Sequence, residues 1–459
     1  MSDNGGSTHS HRHSGDHHSD ETNPELHPLS LAYQTYMKHD KEETDHFAEV
    51  ARAFRQHAAF AMSHWANHQY RLHSLPESQR QVLPDALKRD TDDFNERATQ
   101  FKEAAIRNQF CLDCILRHAG VPHSQEITSM AQTAGDSQMS KVSSVLKSLA
   151  RDWSADGRAE REMAYTPIIS QIQRYLPPSE LGNIRPKICV PGSGVGRLAF
   201  ELTRLGYCVQ GNEFSLYMLL GSDFILNGGI ATPERPLKIS PWLLESRNVH
   251  GPGDALRAVE IPDVDPWAVL CPAGSKHPEF SMAAGEFFSI YNNPKEAEQW
   301  DCVASCFFLD AVPSIVETLQ LIHRMLKPGG ILVNFGPLLF HWSGPAMRPD
   351  DKSRDDYQSR YSYLDERYLC SVDMCYEDIK EIMGNIGFEI LEEKTGIKCL
   401  YTADKRSMMN MVYRCVSFVA RRRVDVETPM ESEDEDETGD EDDDENVHNF
   451  FEANVDVTS

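Results

Sequence analysis

Apolar residues recur at two different periods along the chain, and each period predicts a different kind of element. Between residues 30 and 155 they return every three or four positions, which is the spacing of one helix face. Further along, short continuous apolar runs end in glycine or an acidic residue, as buried strands of a parallel sheet do. The pattern therefore predicts a helical layer followed by an α/β domain. The helical stripes are Phe47, Val50, Phe54, Ala58, Ala61 and Trp65 in one segment and Met139, Val142, Leu146, Leu149 and Trp153 in another.

The first buried run, residues 188–190, leads into a loop over 192–196 with glycine at every second position. Glycine lets a backbone approach a ligand closely, and a helix is predicted directly after the loop, over 197–205. A second run ends at Glu213, where a carboxylate can accept hydrogen bonds from ribose hydroxyls. Arg197 stands where a dinucleotide-binding loop has its third glycine, so the spacing favours an adenosine cofactor without a pyrophosphate. The alternative is a glycine turn that binds nothing.

Later runs continue the alternation of strand and helix. Residues 300–310 read as a strand that ends in an acid, and 315–325 have helical spacing. A Pro-Gly-Gly turn leads into another strand that ends at Gly336, and segments 388–398 and 411–421 are predicted to form a terminal antiparallel pair. The order predicts an α/β fold with a mostly parallel seven-stranded sheet, an antiparallel terminal hairpin and an N-terminal helical layer.

Charge changes this picture only at the ends of the chain. The formal net charge is −26, but sixteen acidic residues and no Lys or Arg lie in the tail 425–459, which is predicted to be disordered. This tail either docks basic proteins or only solubilises the chain. Residues 1–28 are His-rich and also predicted to be disordered, and they would bind metals only adventitiously. The acidic core disfavours a nucleic-acid partner.

The apolar runs and the cysteines indicate the cellular compartment in which the protein is expected. No apolar run approaches the ~20 residues of a membrane span, and the amino terminus has no apolar core of a signal peptide. Eleven scattered cysteines suit reduced thiols, so we expect a protein of the cytosol or nucleus with no membrane partner. We expect no metal site, because the one cluster of metal-ligand types is spaced too closely for a zinc finger and has apolar neighbours. That cluster is Cys111, Cys114, His118 and His123.

The domain boundaries follow from these patterns. The helical region spans 30–155, and the catalytic domain spans 156–422. Residues 231–300 are rich in proline, and 342–375 are dense in charge and tyrosine. Both fall in connections between elements, where α/β enzymes place insertions that bind substrate.

The glycine loop is similar to the first motif of class I methyltransferases, and seven ordered blocks between about residues 30 and 422 carry a closer resemblance. They are Arg151–Arg161, Val190–Arg197, Gly211–Ser215, Phe280–Gly285, Cys306–Asp310, Gly336–His341 and Ser407–Met409. On these blocks the chain resembles the carnosine N-methyltransferase family. The resemblance implies a Rossmann-like class I fold and transfer of a methyl group from S-adenosylmethionine to an imidazole nitrogen of a small histidine-containing peptide, giving anserine from carnosine.

The resemblance also implies roles for particular residues. Where the family has Asp this chain has Glu286, and Thr318 replaces an aromatic residue that contacts the cofactor. The implied substrate contacts are Asp310, His341 and Tyr401. The implied cofactor contacts are Arg151, Gly192, Gly194, Glu213, Glu286, Phe287 and Cys306.

Imidazole chemistry agrees with these assignments. A neutral imidazole is a competent nucleophile near pH 7, and a carboxylate that accepts the N–H of its other nitrogen sets the tautomer and stabilises the imidazolium. Asp310 is the candidate carboxylate, with helix capping ahead of Pro313 as the alternative, and His341 is either a second catalytic residue or a structural histidine. Two other functions stay open, a protein-histidine methyltransferase and a non-catalytic regulatory protein that binds the cofactor. The oligomeric state also stays open, with a homodimer as one alternative.

Overall fold

The computed structural model describes residues 41–121, 133–178, 185–227, 231–272, 279–341, 367, 371–401 and 403–424. The His-rich tail, the acidic tail, His123 and most of segment 342–375 lie outside the described residues.

The N-terminal region is helical, as the apolar stripes predict. The first long helix ends three residues before Pro76, and the Thr91 hydroxyl caps the second by accepting a hydrogen bond of 3.2 Å from the Phe94 N–H. The side chains of the Met139-to-Trp153 stripe are all buried. The helices of this region are α1 (Lys41–His73), α2 (Glu77–Arg80), α3 (Asp92–His118) and α4 (Asp136–Trp153), and α5 (Arg158–Tyr175) follows at the start of the predicted catalytic domain.

The rest of the described chain alternates strands and helices. The strands are β1 (Lys187–Pro191), β2 (Cys208–Glu213), β3 (Leu237–Ile239), β4 (Val259–Ile261), β5 (Phe280–Ala284), β6 (Trp300–Cys306), β7 (Leu326–Gly336), β8 (Phe388–Leu400) and β9 (Val412–Arg422). The helices are α6 (Arg197–Arg204), α7 (Leu216–Asn227), α8 (Pro266–Leu270), α9 (Phe287–Tyr291), α10 (Ile315–Met325) and α11 (Tyr376–Ile386).

Seven strands form one sheet in the order β5-β2-β1-β6-β7-β9-β8. The pairs from β5 to β7 are parallel, whereas β9 runs antiparallel to both β7 and β8. The predicted class I methyltransferase fold, with its antiparallel terminal hairpin, is confirmed. Strands β3 and β4 pair separately, so the stretch 231–300 supplies both this small ribbon and the edge strand of the main sheet.

The strand order reverses at β1, which lies between β2 and β6. In an open parallel sheet, a ligand binds at the carboxyl ends of the strands beside such a reversal. The segments after β1, β2, β5, β6 and β7 therefore lie at one edge. They carry most of the residues predicted to bind cofactor or substrate.

The helical layer is joined to this edge through polar contacts. The Trp153 indole at the end of α4 donates a hydrogen bond of 2.9 Å to the Val195 carbonyl in the glycine loop. Arg197 at the start of α6 donates to the Asp152 carbonyl at 2.7 Å and to the Asp263 carboxylate at 2.7 Å. These bonds place the end of α4 beside the loop. Among the described residues, no helix is both long and apolar enough to cross a bilayer.

Candidate active site

The loop after β1 has a backbone that requires glycine. Gly192, Gly194 and Gly196 have φ angles of +61°, +56° and +80°, a region that other residues rarely adopt. A Cβ atom at Gly192 would lie 2.9 Å from the Phe308 ring, whereas one at Gly194 would meet no atom within 4 Å. The loop thus leaves open space beside Gly194 at the strand ends. This is where a bound nucleoside would fit.

Glu213 ends β2 and supports the same loop. Its carboxylate oxygens accept one hydrogen bond each, from the Gly194 N–H and the Ser215 N–H, both at 2.8 Å. The side chain is only 6% exposed, and burial raises its pKa while the backbone N–H groups oppose that shift. Each carboxylate oxygen has a further lone pair. The geometry fits the acceptor of two ribose hydroxyls that the sequence predicts.

The end of β5 carries Glu286 and Phe287. Glu286 caps the short helix α9, and its Oε2 accepts hydrogen bonds from the Ser289 N–H at 2.8 Å and the Ser289 hydroxyl at 2.9 Å. The same oxygen lies 3.2 Å from the Arg367 guanidinium. Glu286 therefore has a structural role in addition to the cofactor contact that the resemblance implies.

Phe287 is buried and lies beside an aromatic residue that sequence reasoning missed. Its ring packs edge to face on the Phe308 ring, with a centroid distance of 5.2 Å. Phe308 also faces Gly192, so it joins the end of β5 to the glycine loop. An aromatic side chain at this place can pack against an adenine. The Cys-Phe-Phe run was visible in the sequence, but its spacing alone did not distinguish this ring from an ordinary core residue.

Cys306 ends β6 and is half-buried. Burial raises its pKa to about 12, so the thiol stays protonated at neutral pH. The next residue, Phe307, has a φ angle of +53°, and its N–H bonds to the Phe335 carbonyl at 2.9 Å. Gly336 permits this turn, because a Cβ there would lie 3.2 Å from the Phe307 backbone. Such backbone strain is typical of functional sites.

Asp310 and His341 are brought together in the segments after β6 and β7; β6 ends at Cys306, so Asp310 lies beyond the strand that was predicted to reach it. Asp310 is 2% exposed, and its Oδ2 accepts a hydrogen bond of 2.9 Å from the Leu339 N–H. Its carbonyl accepts from the His341 N–H at 3.0 Å. Burial raises the Asp310 pKa, and the Leu339 N–H and His341 oppose the shift. The helix-capping alternative is wrong, because the Ser314 hydroxyl caps α10.

Tyr401 follows β8 and lies between a cation and another ring. The Arg151 guanidinium carbon is 5.0 Å from its ring centroid, and the Phe307 centroid is 4.8 Å away at an interplanar angle of 31°. The Tyr413 ring meets Phe307 edge to face at 5.8 Å. Burial raises the Tyr413 pKa, with smaller contributions from Tyr401 and Asp310. Tyr401, a predicted substrate residue, therefore packs with Arg151 and with the rings of Phe307 and Tyr413.

Arg151 comes from α4 rather than from the sheet. It donates two hydrogen bonds of 2.8 Å to the adjacent Asp152 carboxylate. Because Arg151 also lies over Tyr401, a predicted cofactor residue contacts a predicted substrate residue. Asp152 was also missed, since nothing in the sequence separates it from an exposed helical acid.

Two further sequence expectations concern side chains away from this edge. Cys111 and Cys114 are buried in α3, where burial raises the pKa of both thiols, and His118 lies 3.1 Å from the Asp223 carboxylate. No group of three or more potential ligands for a metal ion occurs within the described part of the chain. Thr318 is buried and donates to the Ser314 carbonyl at 2.7 Å, in its own helix.

Several known proteins are similar to this chain. A solved magnesium protoporphyrin IX methyltransferase from Synechocystis PCC 6803, with bound S-adenosylhomocysteine, is 13% identical, with 58% of this chain and 86% of that chain covered and a TM-score of 0.31. The mouse carnosine N-methyltransferase is 34% identical over 388 residues, which cover 83% of this chain and 87% of the relative. The Schizosaccharomyces pombe carnosine N-methyltransferase is 30% identical over 396 residues, which cover 84% of this chain and 98% of the relative.

A family model described as carnosine N-methyltransferase matches residues 128–424, which include every residue predicted to bind cofactor or substrate. On this match and on these relatives, the chain belongs to the carnosine N-methyltransferase family.

Proposed function

We propose that this protein transfers the methyl group of S-adenosylmethionine to an imidazole nitrogen of carnosine, giving anserine. The observation that carries the proposal is the buried Asp310 carboxylate, bonded to the segment that bears His341 and lying at the strand edge beside the glycine loop. Family membership and the names of the relatives support the same reaction.

The residues at the strand ends fit the donor. Glu213 would accept the ribose hydroxyls, the space beside Gly194 would admit the sugar, and Phe308 with Phe287 would pack against the adenine. Arg151 would bind the donor carboxylate, because a guanidinium recognises a carboxylate with paired donors. S-adenosylmethionine supplies an electrophilic methyl group on a sulfonium. If Cys306 contacts the donor, as the resemblance implies, its protonated thiol would not compete as a nucleophile.

The residues at the acceptor site would orient the substrate imidazole and select its tautomer. The Asp310 carboxylate keeps lone pairs beyond the one that takes the Leu339 N–H, so it can accept the substrate ring N–H. This contact holds the tautomer whose other nitrogen carries the attacking lone pair. Because Asp310 is desolvated, it attracts the imidazolium that forms during transfer more strongly than an exposed carboxylate would. Positioning and charge stabilisation then account for catalysis, and no strong base is required.

A transfer assay with labelled S-adenosylmethionine tests this function. Carnosine, free histidine and longer histidine-containing peptides are offered side by side to the wild-type protein. We expect carnosine to be the best acceptor, with anserine as the product. Methylation of longer peptides in preference to carnosine, or no transfer to any imidazole, would contradict the proposal.

Two further properties are proposed from composition alone. We propose that the acidic tail 425–459 docks basic proteins and that the chain acts in the cytosol or nucleus. Sedimentation velocity of the full chain, alone and with a basic partner, tests the first of these. Microscopy of the tagged chain tests the location.

A further inference from the structure

A buried carboxylate contacts Arg151, a residue predicted to bind the cofactor. Asp152 is 1% exposed and lies in the last turn of α4, next to Arg151. It accepts hydrogen bonds of 2.8 Å from both Nε and Nη2 of Arg151, and one of 3.0 Å from the Tyr165 hydroxyl. Burial raises the Tyr165 pKa and the Asp152 charge raises it further, so this hydroxyl remains a donor. Asp152 thus holds the Nε–Nη2 edge of the Arg151 guanidinium with both carboxylate oxygens, and Tyr165 holds Asp152.

The face of the guanidinium contacts a residue of the predicted substrate site. Its face lies over the Tyr401 ring at 5.0 Å, and Tyr401 in turn lies on Phe307 at 4.8 Å. The two bonds to Asp152 use Nε and Nη2 and do not involve the Nη1 donors of Arg151. A guanidinium has five N–H donors in one plane, so a fixed edge leaves the remaining donors aimed in a defined direction.

We propose that Asp152 is a positioning residue that makes donor and acceptor binding cooperative. By holding Arg151, it aims Nη1 at the donor carboxylate and keeps the guanidinium face on Tyr401, which borders the acceptor. This inference rests on the proposed function for the identity of both ligands.

The cooperativity has a physical cause. Asp152 fixes the Nε–Nη2 edge, about which the guanidinium can still tilt, and a donor carboxylate bound at Nη1 would stop that tilt. Tyr401 is then held on Phe307 before the acceptor arrives, so less ordering remains for the second ligand. The coupling is reciprocal, and carnosine must tighten donor binding by the factor by which the donor tightens carnosine binding.

Calorimetric binding of S-adenosylhomocysteine, with and without saturating carnosine, measures the coupling directly. In the wild type we expect carnosine to lower the dissociation constant at least about fivefold, the lower end of typical coupling. In Asp152→Asn we expect the dissociation constant of S-adenosylhomocysteine to rise about tenfold. The factor by which carnosine lowers this constant should fall close to one. Tyr165→Phe removes one hydrogen bond from Asp152 and should give a smaller change in the same direction. The matched control is Arg174→Ala, an exposed arginine paired with Glu392, which should bind like the wild type.

Variants of Tyr401 separate coupling from stability. Tyr401→Leu removes the ring from a partly exposed position, so we expect a folded protein that shows no carnosine effect even at carnosine concentrations that a direct titration of this variant shows to be saturating. Tyr401→Phe keeps the ring and should keep the effect at saturating carnosine. Thermal unfolding shows whether each variant is folded.

Two results would overturn the inference. One is a folded Asp152→Asn protein with wild-type affinity and wild-type coupling, and the other is full coupling in Tyr401→Leu. If the wild type neither binds nor methylates carnosine, the proposed function is wrong. The affinity of Asp152→Asn for S-adenosylhomocysteine still decides the positioning role.

Discussion

Replacing Glu213 by Gln tests the donor site with a change of very few atoms. The Gln side chain has nearly the same shape, but one carboxylate oxygen becomes an NH₂ group. Both oxygens of Glu213 accept a backbone N–H at 2.8 Å, so the NH₂ group must face one of these donors. The same group can no longer accept a ribose hydroxyl.

The expected magnitude follows from these contacts. A hydrogen bond to a charged group contributes about 1.5–3 kcal/mol. Loss of one such bond to the donor corresponds to an increase of about one to two powers of ten in its dissociation constant. Glu213→Ala removes both acceptors, so we expect about two to four powers of ten. Loss of the bond to the Gly194 or Ser215 N–H should also lower the free energy of unfolding by about 1–3 kcal/mol.

Calorimetric titration with S-adenosylhomocysteine measures the affinity, and urea unfolding measures the stability. Glu260→Gln is the control, because the Glu260 side chain is 59% exposed on the small β3–β4 ribbon. We also expect the wild-type affinity to decline on acidification. Burial raises the Glu213 pKa, so this decline should begin at a higher pH than for an exposed glutamate.

The reasoning fails if folded Glu213→Gln binds S-adenosylhomocysteine with the wild-type dissociation constant. It also fails if the affinity falls equally in Glu260→Gln, because the effect would then not arise at the strand ends.

Three further predictions concern catalysis, the glycine loop and acid stability. Asp310→Asn should keep the hydrogen bond from the Leu339 N–H and the affinity for S-adenosylhomocysteine. Its kcat in the labelled-methyl assay should fall about a hundred- to ten-thousandfold. A near-normal kcat would reject the catalytic role of Asp310. Gly194→Ala places a Cβ in open space at a φ of +56°, so the free energy of unfolding in urea should fall by about 1–2 kcal/mol. Calorimetry should show a larger loss in the free energy of donor binding. Unchanged affinity would mean that this space is not the donor site. Burial lowers the pKa of His57 from 6.5 to about 4. Between these pH values the unfolded state therefore binds more protons than the folded state. The free energy of unfolding is thus highest above pH 6.5 as far as His57 is concerned, and it decreases as the pH falls towards 4. A His57→Gln protein should therefore lose about 3 kcal/mol less than the wild type between pH 6.5 and 4 in urea unfolding, and identical pH profiles would contradict the assignment.

The main features of the fold could be predicted from the pattern of apolar residues. Residues 315–325 were predicted as a helix and form one with the same bounds, and the terminal hairpin differs from its predicted bounds by only one or two residues. Such patterns are reliable because a long periodic segment has few ways to bury its apolar face. The edge strand Phe280–Ala284 was less visible, because it lies within a stretch rich in proline.

The candidate site was only partly predictable. Glycine loops and acids at strand ends are local signals, and Glu213 and Asp310 both lie at the predicted sheet edge. The role of Glu286 as a helix cap and the Phe308 ring over Gly192 depend on where separate segments meet. No local pattern contains that information.

The sequence by itself thus determined the order of strands and helices, the strained glycine loop and the acids beside it, because each depends on neighbouring residues. Only the tertiary structure decided that Arg151 of the helical layer lies over Tyr401, some 250 residues away in the chain, and that Asp152 holds it there. The burial that makes Asp152 a strong partner comes from packing α4 against the sheet domain. The energy of a buried charge depends on the groups around it in space, and the spacing of residues along the chain does not specify those groups.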